Sequence, residues 1–381
     1  MRLAIKDTQT IREPSYITAQ KIIQNVLTHI GQNSPTKTYR PDEIAKYDIR
    51  IGHIGGKPVK RLAIHFRSNG CGWKKSGGCT MCGFWTETSQ GKDIVKTEDF
   101  VIQFQKTLAE IDITRYPILC LYNAGSVLNE SEFPFQALEK IFSKIIQFPS
   151  IKRVVLESRI EYVDPAKIKF LEKKLQGKEL IIASGLESSN DIVRDLCIHK
   201  GISQNKFESY IEKTKSNGIN ARVYLLIKPL FLTEAEAIED AVSSTEYLLN
   251  LEVNDIHYET MTIEENTLAY ELFRKKNYHV PWLWSIIEII RQVSPDVHPF
   301  ISPFLYIADS IAVPHNCTLC SESITKALLV DYCSSLDPSI LSNLECSCSS
   351  EWKKELKTND SRSIENRVFQ TLTKSFPEIK Y

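Results

Sequence analysis

Cys71, Cys79 and Cys82 put three thiols into twelve residues, in a C-x7-C-x2-C arrangement that is rich in glycine. Three clustered thiolates form a metal site with one ligand missing. A [4Fe–4S] cluster normally takes four cysteines, so three would leave one iron open to another ligand. A structural zinc ion would want a fourth Cys or His close by. The nearest later cysteine, Cys120, lies in the apolar run Ile118-Leu119-Cys120-Leu121, which reads as a buried strand. Glycines at 70, 72, 77, 78 and 83 let the backbone wrap around a bulky object. A zinc knuckle and incidental thiols are the competing readings, although such motifs inside cells are usually metal-binding or catalytic.

A second set lies towards the C-terminus: Cys317 and Cys320 as C-x2-C, then Cys346 and Cys348 as C-x-C. A C-x2-C turn plus a distant pair is a standard way to complete a tetrahedral thiolate site, so zinc is expected there. His315 or Cys333 can replace one member, and a second Fe–S cluster competes.

The elements that must position these residues alternate. Strand-like runs at Arg61–Arg67, Pro117–Tyr122, Arg153–Glu157, Leu180–Ser184, Arg222–Ile227 and Asp255–Met261 are separated by amphipathic stretches. Six β–α repeats predict an α/β fold with a parallel sheet, open or closed into a partial barrel, and ligands at the strands' carboxyl ends. The polar motifs fall there in turn. The second strand ends in Tyr122-Asn123-Ala124-Gly125-Ser126, the third in Glu157-Ser158-Arg159-Ile160-Glu161, the fourth in Ser184-Gly185-Leu186-Glu187 and the fifth in Lys228-Pro229. A strand-end carboxylate such as Glu157 can hold a ribose diol, and Arg159 a carboxylate. Without a ligand these segments read as a turn and a sheet-edge ion pair. Lys228 suits a phosphate or a cofactor. Cys197 and His199 read as core and cap residues, and Trp282 and Trp284 as a packing anchor between domains.

Residues 15–31 carry a helical apolar stripe, and 32–55 are polar, with Pro35, Pro41 and Gly55-Gly56, and read as a linker. The expected division is therefore an N-terminal extension and linker (1–55), a core (56–285) and a C-terminal accessory region with the second metal site (286–381). The 381 residues are 42 % hydrophobic, enough for a sizeable core, and 47 basic residues balance 47 acidic ones. No global field advertises nucleic acid, so such a partner must use local patches such as Lys173-Lys174, Arg274-Lys275-Lys276 and Lys353-Lys354. No run approaches the roughly 20 apolar residues of a membrane span, and the N-terminus turns polar too early for a signal peptide. Ten clustered cysteines without an export signal fit a reducing cytoplasm and metal ligation.

The cysteine loop resembles that of radical S-adenosylmethionine (SAM) enzymes. Gly70-Cys71-Gly72-Trp73, then Gly78-Cys79-Thr80-Met81-Cys82-Gly83-Phe84, is similar more narrowly to the archaeosine-forming RaSEA family, relatives of the elongator catalytic subunit. The C-x7-C-x2-C spacing departs from the commoner C-x3-C-x2-C. Gly125-Ser126-Val127-Leu128-Asn129, the Glu157 motif and Pro314-His315-Asn316-Cys317 extend the likeness over roughly residues 60–350. At Glu259-Thr260-Met261-Thr262 the chain departs from the family's Glu-Pro-Met-Asn, so substrate contacts are not carried over there.

The resemblance implies a radical SAM partial (β/α)6 barrel with a C-terminal cysteine-rich accessory region. Cys71, Cys79 and Cys82 would hold the [4Fe–4S] cluster. Phe84, Asn123, Gly125, Ser126, Glu157, Arg159, Gly185 and Lys228 would contact SAM, and Cys317, Cys320, Cys346 and Cys348 would hold zinc. It implies a lyase completing archaeosine at position 15 of archaeal tRNA. A partner transferase first joins lysine, through its side-chain nitrogen, to 7-cyano-7-deazaguanine. Reductive SAM cleavage then yields a radical that takes hydrogen beside the amidine nitrogen, and the carbon–nitrogen bond breaks. A ferredoxin- or flavodoxin-like donor supplies the electron. Two other readings stand beside it: an elongator-like radical SAM enzyme with a different nucleoside or small-molecule substrate, and a non-catalytic, zinc-stabilised RNA-binding module.

Overall fold

The computed structural model describes residues 15–379 other than 36, 93, 295 and 305–307. The reading of Met1–Asp7 lies outside the described residues. Among the described residues ten strands run β1 (Lys46–Ile54), β2 (Lys57–Phe66), β3 (Ile118–Asn123), β4 (Arg153–Glu157), β5 (Glu179–Glu187), β6 (Asn220–Ile227), β7 (Ile256–Thr260), β8 (Ile263–Glu264), β9 (Phe300–Ile301) and β10 (Ser310–Ala312). Eight form one sheet in the order β1-β2-β3-β4-β5-β6-β7-β9, while β8 pairs only with β10. From β2 to β9 every neighbour in the large sheet is parallel. The fold is the α/β half-barrel that the six repeats predict.

The strands form where helices cover one face and the barrel interior the other. β3 is buried at all six positions, as a parallel strand covered on both faces must be. Between β2 and β7 the helices Thr97–Glu110, Phe135–Ile145, Pro165–Lys174, Gln204–Ser216 and Glu234–Asn250 make the crossovers. Their starts are encoded locally. Asp164 caps the helix that begins at Pro165, and Thr233 forms a reciprocal capping box with Glu236. Phe66, Phe100 and Phe133 pack as a ring trio in the outer core, with Phe100 and Phe133 centroids 4.1 Å apart. The amphipathic stretch 191–218 is not one helix: Val193–Ile198 winds as a π-helix that His199 ends at φ 55°.

Two departures matter for the site. The stretch expected to be a linker contains β1, an antiparallel edge strand. Gly55 and Gly56 join it to β2 with φ 57° and 75°, as a two-residue hairpin turn with both central residues left-handed requires. The other edge, β9, comes from the segment expected to belong to the accessory region, and it pairs with β7. The edges lie close, with the His53 and Phe300 ring centroids 6.3 Å apart. A separate apolar layer joins the chain's two ends. Ile23, Val26 and Leu27 of the helix Tyr16–Asn33 pack with Val368, Leu372 and Phe376 of the helix Ile364–Ser375 and its end. No helix among the described residues is long and apolar enough to cross a membrane.

Candidate functional site

The loop after β2 carries the three cysteines across the carboxyl ends of the strands, and Cys71, Cys79 and Cys82 all line one cavity there. Gly77 and Gly78, at φ 97° and 81°, turn the loop back between Trp73 and Cys79. The Trp73 indole donates to His199 O at 2.8 Å, Thr80 N to Ile198 O at 2.9 Å, and Thr80 Oγ1 to Cys197 O at 2.7 Å. The end of the π-helix is thus the bed on which the loop lies. Cys197 is buried and His199 is the cap that the sequence suggests.

Two buried glutamates that sequence reasoning passed over clamp the loop's ends. Glu132 accepts from Gly72 N at 2.8 Å, Ser126 N at 2.5 Å and Asn129 Nδ2 at 2.7 Å, tying the loop to the turn after β3. Glu264 on β8 accepts from Gly83 N at 2.7 Å. Burial pushes its carboxyl up to about 8, against that hydrogen bond. Gly125 is required beside Glu132, because a Cβ there would collide with the carboxylate and lie 3.0 Å from Cys71 Cα.

Burial pushes the Cys71 thiol up to about 11, helped by Glu132 and Cys79, and also raises Cys79 and Cys82. Lys200, Arg159 and Lys74 favour the Cys79 thiolate without overcoming its desolvation. Thiolates here need a bound cation to compensate them. The three Sγ atoms are not among the groups whose ligand atoms lie within 4.8 Å of one another. As placed they are too widely spread for one tetrahedral ion.

Of the expected SAM contacts, Phe84, Asn123, Gly125, Glu157, Arg159 and Gly185 line the same cavity. Both polar atoms of the buried Asn123 side chain lack a partner, an arrangement that a ligand resolves. Glu157 is pushed up to about 8, first by burial and then by the Glu259 carboxylate. Arg159 pairs with Glu161 at 2.6 Å and lies 4.9 Å from the Trp73 ring. Lys200 pairs with Glu187 at 2.6 Å, and both line the cavity.

Ser126 and Lys228 are placed differently. Ser126 is fully buried behind the cavity wall, its Oγ accepting from Arg159 N at 3.1 Å. Lys228 is not among the cavity-lining residues. At φ 60° the chain leaves the alternation of β6, and Nζ meets the buried Glu234 at 2.5 Å and the His279 ring at 3.0 Å. The following helix, not a cofactor, takes its charge. Among the basic patches, Arg274 pairs with Glu271 and Lys275 donates to Ser375 O and lies 4.3 Å from the Phe376 ring, so both are engaged within the chain.

The C-terminal set converges as expected: Cys317, Cys320, Cys346 and Cys348 have Sγ atoms all within 4.8 Å of one another. His315 instead bonds Val313 O and Cys333 lies buried against Ile301 O, so neither replaces a member. Three Sγ pairs stand 3.7, 3.5 and 3.6 Å apart. A tetrahedron with metal–sulfur bonds of about 2.3 Å has edges of about 3.8 Å, so this set fits one tetrahedral ion. Trp284 Nε1 donates to Cys348 Sγ at 3.3 Å, Trp352 Nε1 to Ser285 Oγ at 2.8 Å and Trp282 Nε1 to Glu355 at 2.7 Å. The tryptophans thus pin the four-cysteine region to the helix Leu283–Val293.

A parallel half-barrel whose first parallel strand delivers a three-cysteine loop to a strand-end cavity is the arrangement that the resemblance to radical SAM enzymes implies. No family model matches the chain. It is 32 % identical over 316 residues to archaeosine synthase subunit beta of Methanosarcina acetivorans, covering 81 % of this chain and 88 % of that protein. The chain belongs to the archaeosine synthase subunit beta family. The protein of that name from Thermococcus kodakarensis is 29 % identical over 311 residues, 79 % of this chain and 93 % of its own length. Among solved structures, the archaeal Methanocaldococcus infernus Elp3 with an N-terminal deletion matches at TM-score 0.39 and 14 % identity, over 51 % of this chain and 49 % of that one. The chain thus spans about half the length of that solved structure.

Proposed function

We propose that this chain is the radical SAM carbon–nitrogen lyase of archaeosine formation, releasing the lysine carbon chain from lysine-modified 7-cyano-7-deazaguanine at position 15 of tRNA. The observation that carries the reading is the convergence of three widely spaced thiols and the unpartnered Asn123 side chain on one strand-end cavity. The named relatives are archaeosine synthase subunits beta, which supports tRNA as substrate and a second, lysine-transferring subunit as partner.

Cys71, Cys79 and Cys82 hold the [4Fe–4S] cluster in this reading. When bound, the reduced cluster and SAM supply the radical that removes the hydrogen beside the amidine nitrogen. The chain's own residues bind, orient and shield. Asn123 and the backbone at Gly125 meet the SAM amino group, Arg159 its carboxylate and Glu157 its ribose, while Gly185 and Phe84 border the ligand. Ser126 acts at one remove, fixing the Arg159 backbone. Met81, Phe84, Leu226 and Met261 give the cavity apolar wall that excludes water from the reacting carbon. The four C-terminal cysteines hold zinc and stiffen an accessory region beginning near residue 286, behind a core near 56–285 to which β1 is added. A base inside folded tRNA must be exposed to reach such a cavity, with RNA shape guiding the docking. A cytoplasmic location and a ferredoxin- or flavodoxin-like electron donor complete the reading.

Anaerobic reconstitution tests it. The protein is expected to bind about four irons and four sulfides and to cleave SAM, with archaeosine formed only when lysine-bearing tRNA is supplied. Cys79→Ala should abolish SAM cleavage, whereas Cys317→Ala should lower stability or tRNA binding and leave reductive cleavage intact. A colourless protein with zinc at the N-terminal triad would overturn the enzymatic reading. Intact archaeosine in a deletion strain would overturn the substrate.

A further inference from the structure

The cavity extends from the cysteine loop down into the barrel, and its floor is charged. Arg50 of β1, Arg61 and His65 of β2, Glu259 of β7 and Ser302 after β9 all line it. The two unanticipated edge strands therefore turn an open sheet into a walled chamber. Most cations on its lining have a carboxylate. Arg50 pairs with Asp48, Arg159 with Glu161 and Lys200 with Glu187. Arg61 is different. It is 3 % exposed, its Nε has no partner, and among the described residues no carboxylate pairs with it. Its guanidinium lies over the Phe300 ring, 5.1 Å from the centroid.

A buried guanidinium cannot shed its charge by losing a proton, and a desolvated ion without a counter-ion costs several kcal/mol. Arg61 therefore calls for an anion from outside the chain. It shares a face of β2 with His65, four residues and about 13 Å of strand away from it, so that anion sits below the strand tips where the cofactor contacts converge. Glu259, held by Ser302 Oγ at 2.5 Å, is the penultimate residue of β7 and lines the chamber nearer the strand tips, with Glu157.

We infer that Arg61 is the subsite for the carboxylate at the free α-amino acid end of the molecule being cleaved. The inference rests on the proposed reaction, because lysine joined through its side-chain nitrogen keeps that zwitterionic end free. It assigns Arg61 the choice between a lysine-derived chain and a simple alkylamine on the same base.

The test is binding to the cluster-reconstituted protein with SAM and no reductant, followed by anaerobic calorimetry. The two probes are Nε-acetimidoyl-L-lysine and its analogue without the carboxylate. Wild type should bind the first about ten- to hundredfold more tightly, the range expected for hydrogen bonds between charged groups. Arg61→Met, close to the original volume, should bind the two equally, and Arg61→Lys should keep part of the preference. Equal binding by wild type, no binding of either probe at millimolar concentration, or an undiminished preference in Arg61→Met overturns the subsite. If Arg61→Met does not fold, the wild-type probe pair and Arg61→Lys decide. Carboxylate-dependent binding without turnover of lysine-bearing tRNA would leave the subsite standing and remove the lyase. Turnover indifferent to the carboxylate would do the reverse.

Discussion

Substituting Gly125 by alanine probes how the cysteine loop is held. The added methyl would collide with the Glu132 carboxylate and lie 3.0 Å from Cys71 Cα and 3.1 Å from Glu132 Cδ. Either the loop yields, which as overpacking costs about 1–3 kcal/mol, or Glu132 withdraws. Withdrawal strands the Gly72 and Ser126 N–H groups, at about 1–3 kcal/mol for each buried donor left unsatisfied. The cheaper route governs, so Gly125→Ala should destabilise by about 2 kcal/mol. A double-mutant cycle isolates the cause, because Glu132→Ala removes the colliding group. In that background the same glycine substitution should cost under about 1 kcal/mol, a coupling typical of residues in contact. Urea unfolding of the reduced, metal-free chain reads the energies, and iron content after reconstitution should fall in both single variants. A Gly125→Ala protein as stable as wild type, or equal costs in both backgrounds, would refute the clamp.

Lys228→Met should destabilise by about 3–5 kcal/mol, as breaking a buried ion pair does, and Lys228→Met with Glu234→Gln should recover part of the loss. SAM affinity of the folded variant should match wild type; a weakened affinity would return Lys228 to the cofactor site. Asp240, which accepts from Ser188 Oγ at 2.6 Å, is pushed up to about 6 by burial against that bond. Its folded pKa lies above the unfolded one, so the native state keeps a proton longer and stability falls as pH rises from about 4 to about 6. Asp240→Asn should flatten that decline in pH-dependent unfolding, and an unchanged profile would show that the carboxyl is not responsible.

Much of the fold was legible because its signals are local. Short apolar runs located β2 to β7, and amphipathic stretches marked the helices between them. β1 was missed although Gly55-Gly56 is a hairpin signal, because the polar residues and prolines around 32–45 masked the alternation of Tyr47, Ile49 and Ile51. β9 is two residues long, too short for any period to register. The four C-terminal cysteines were legible from spacing, but excluding His315 and Cys333 took the fold.

The sequence by itself determined which residues can ligate, where strands end and therefore that three thiols, an asparagine and a glutamate meet at one end of a sheet. Only the tertiary structure decided what each charge meets. Glu132 lies 60 residues from Gly72 and Glu264 lies 181 from Gly83, separations across which no local pattern runs. A strand's periodicity states which side of the sheet a side chain takes, whereas its counter-ion depends on strands and helices supplied elsewhere in the chain. That is why Lys228 found Glu234 and why Arg61 was left to await an anion.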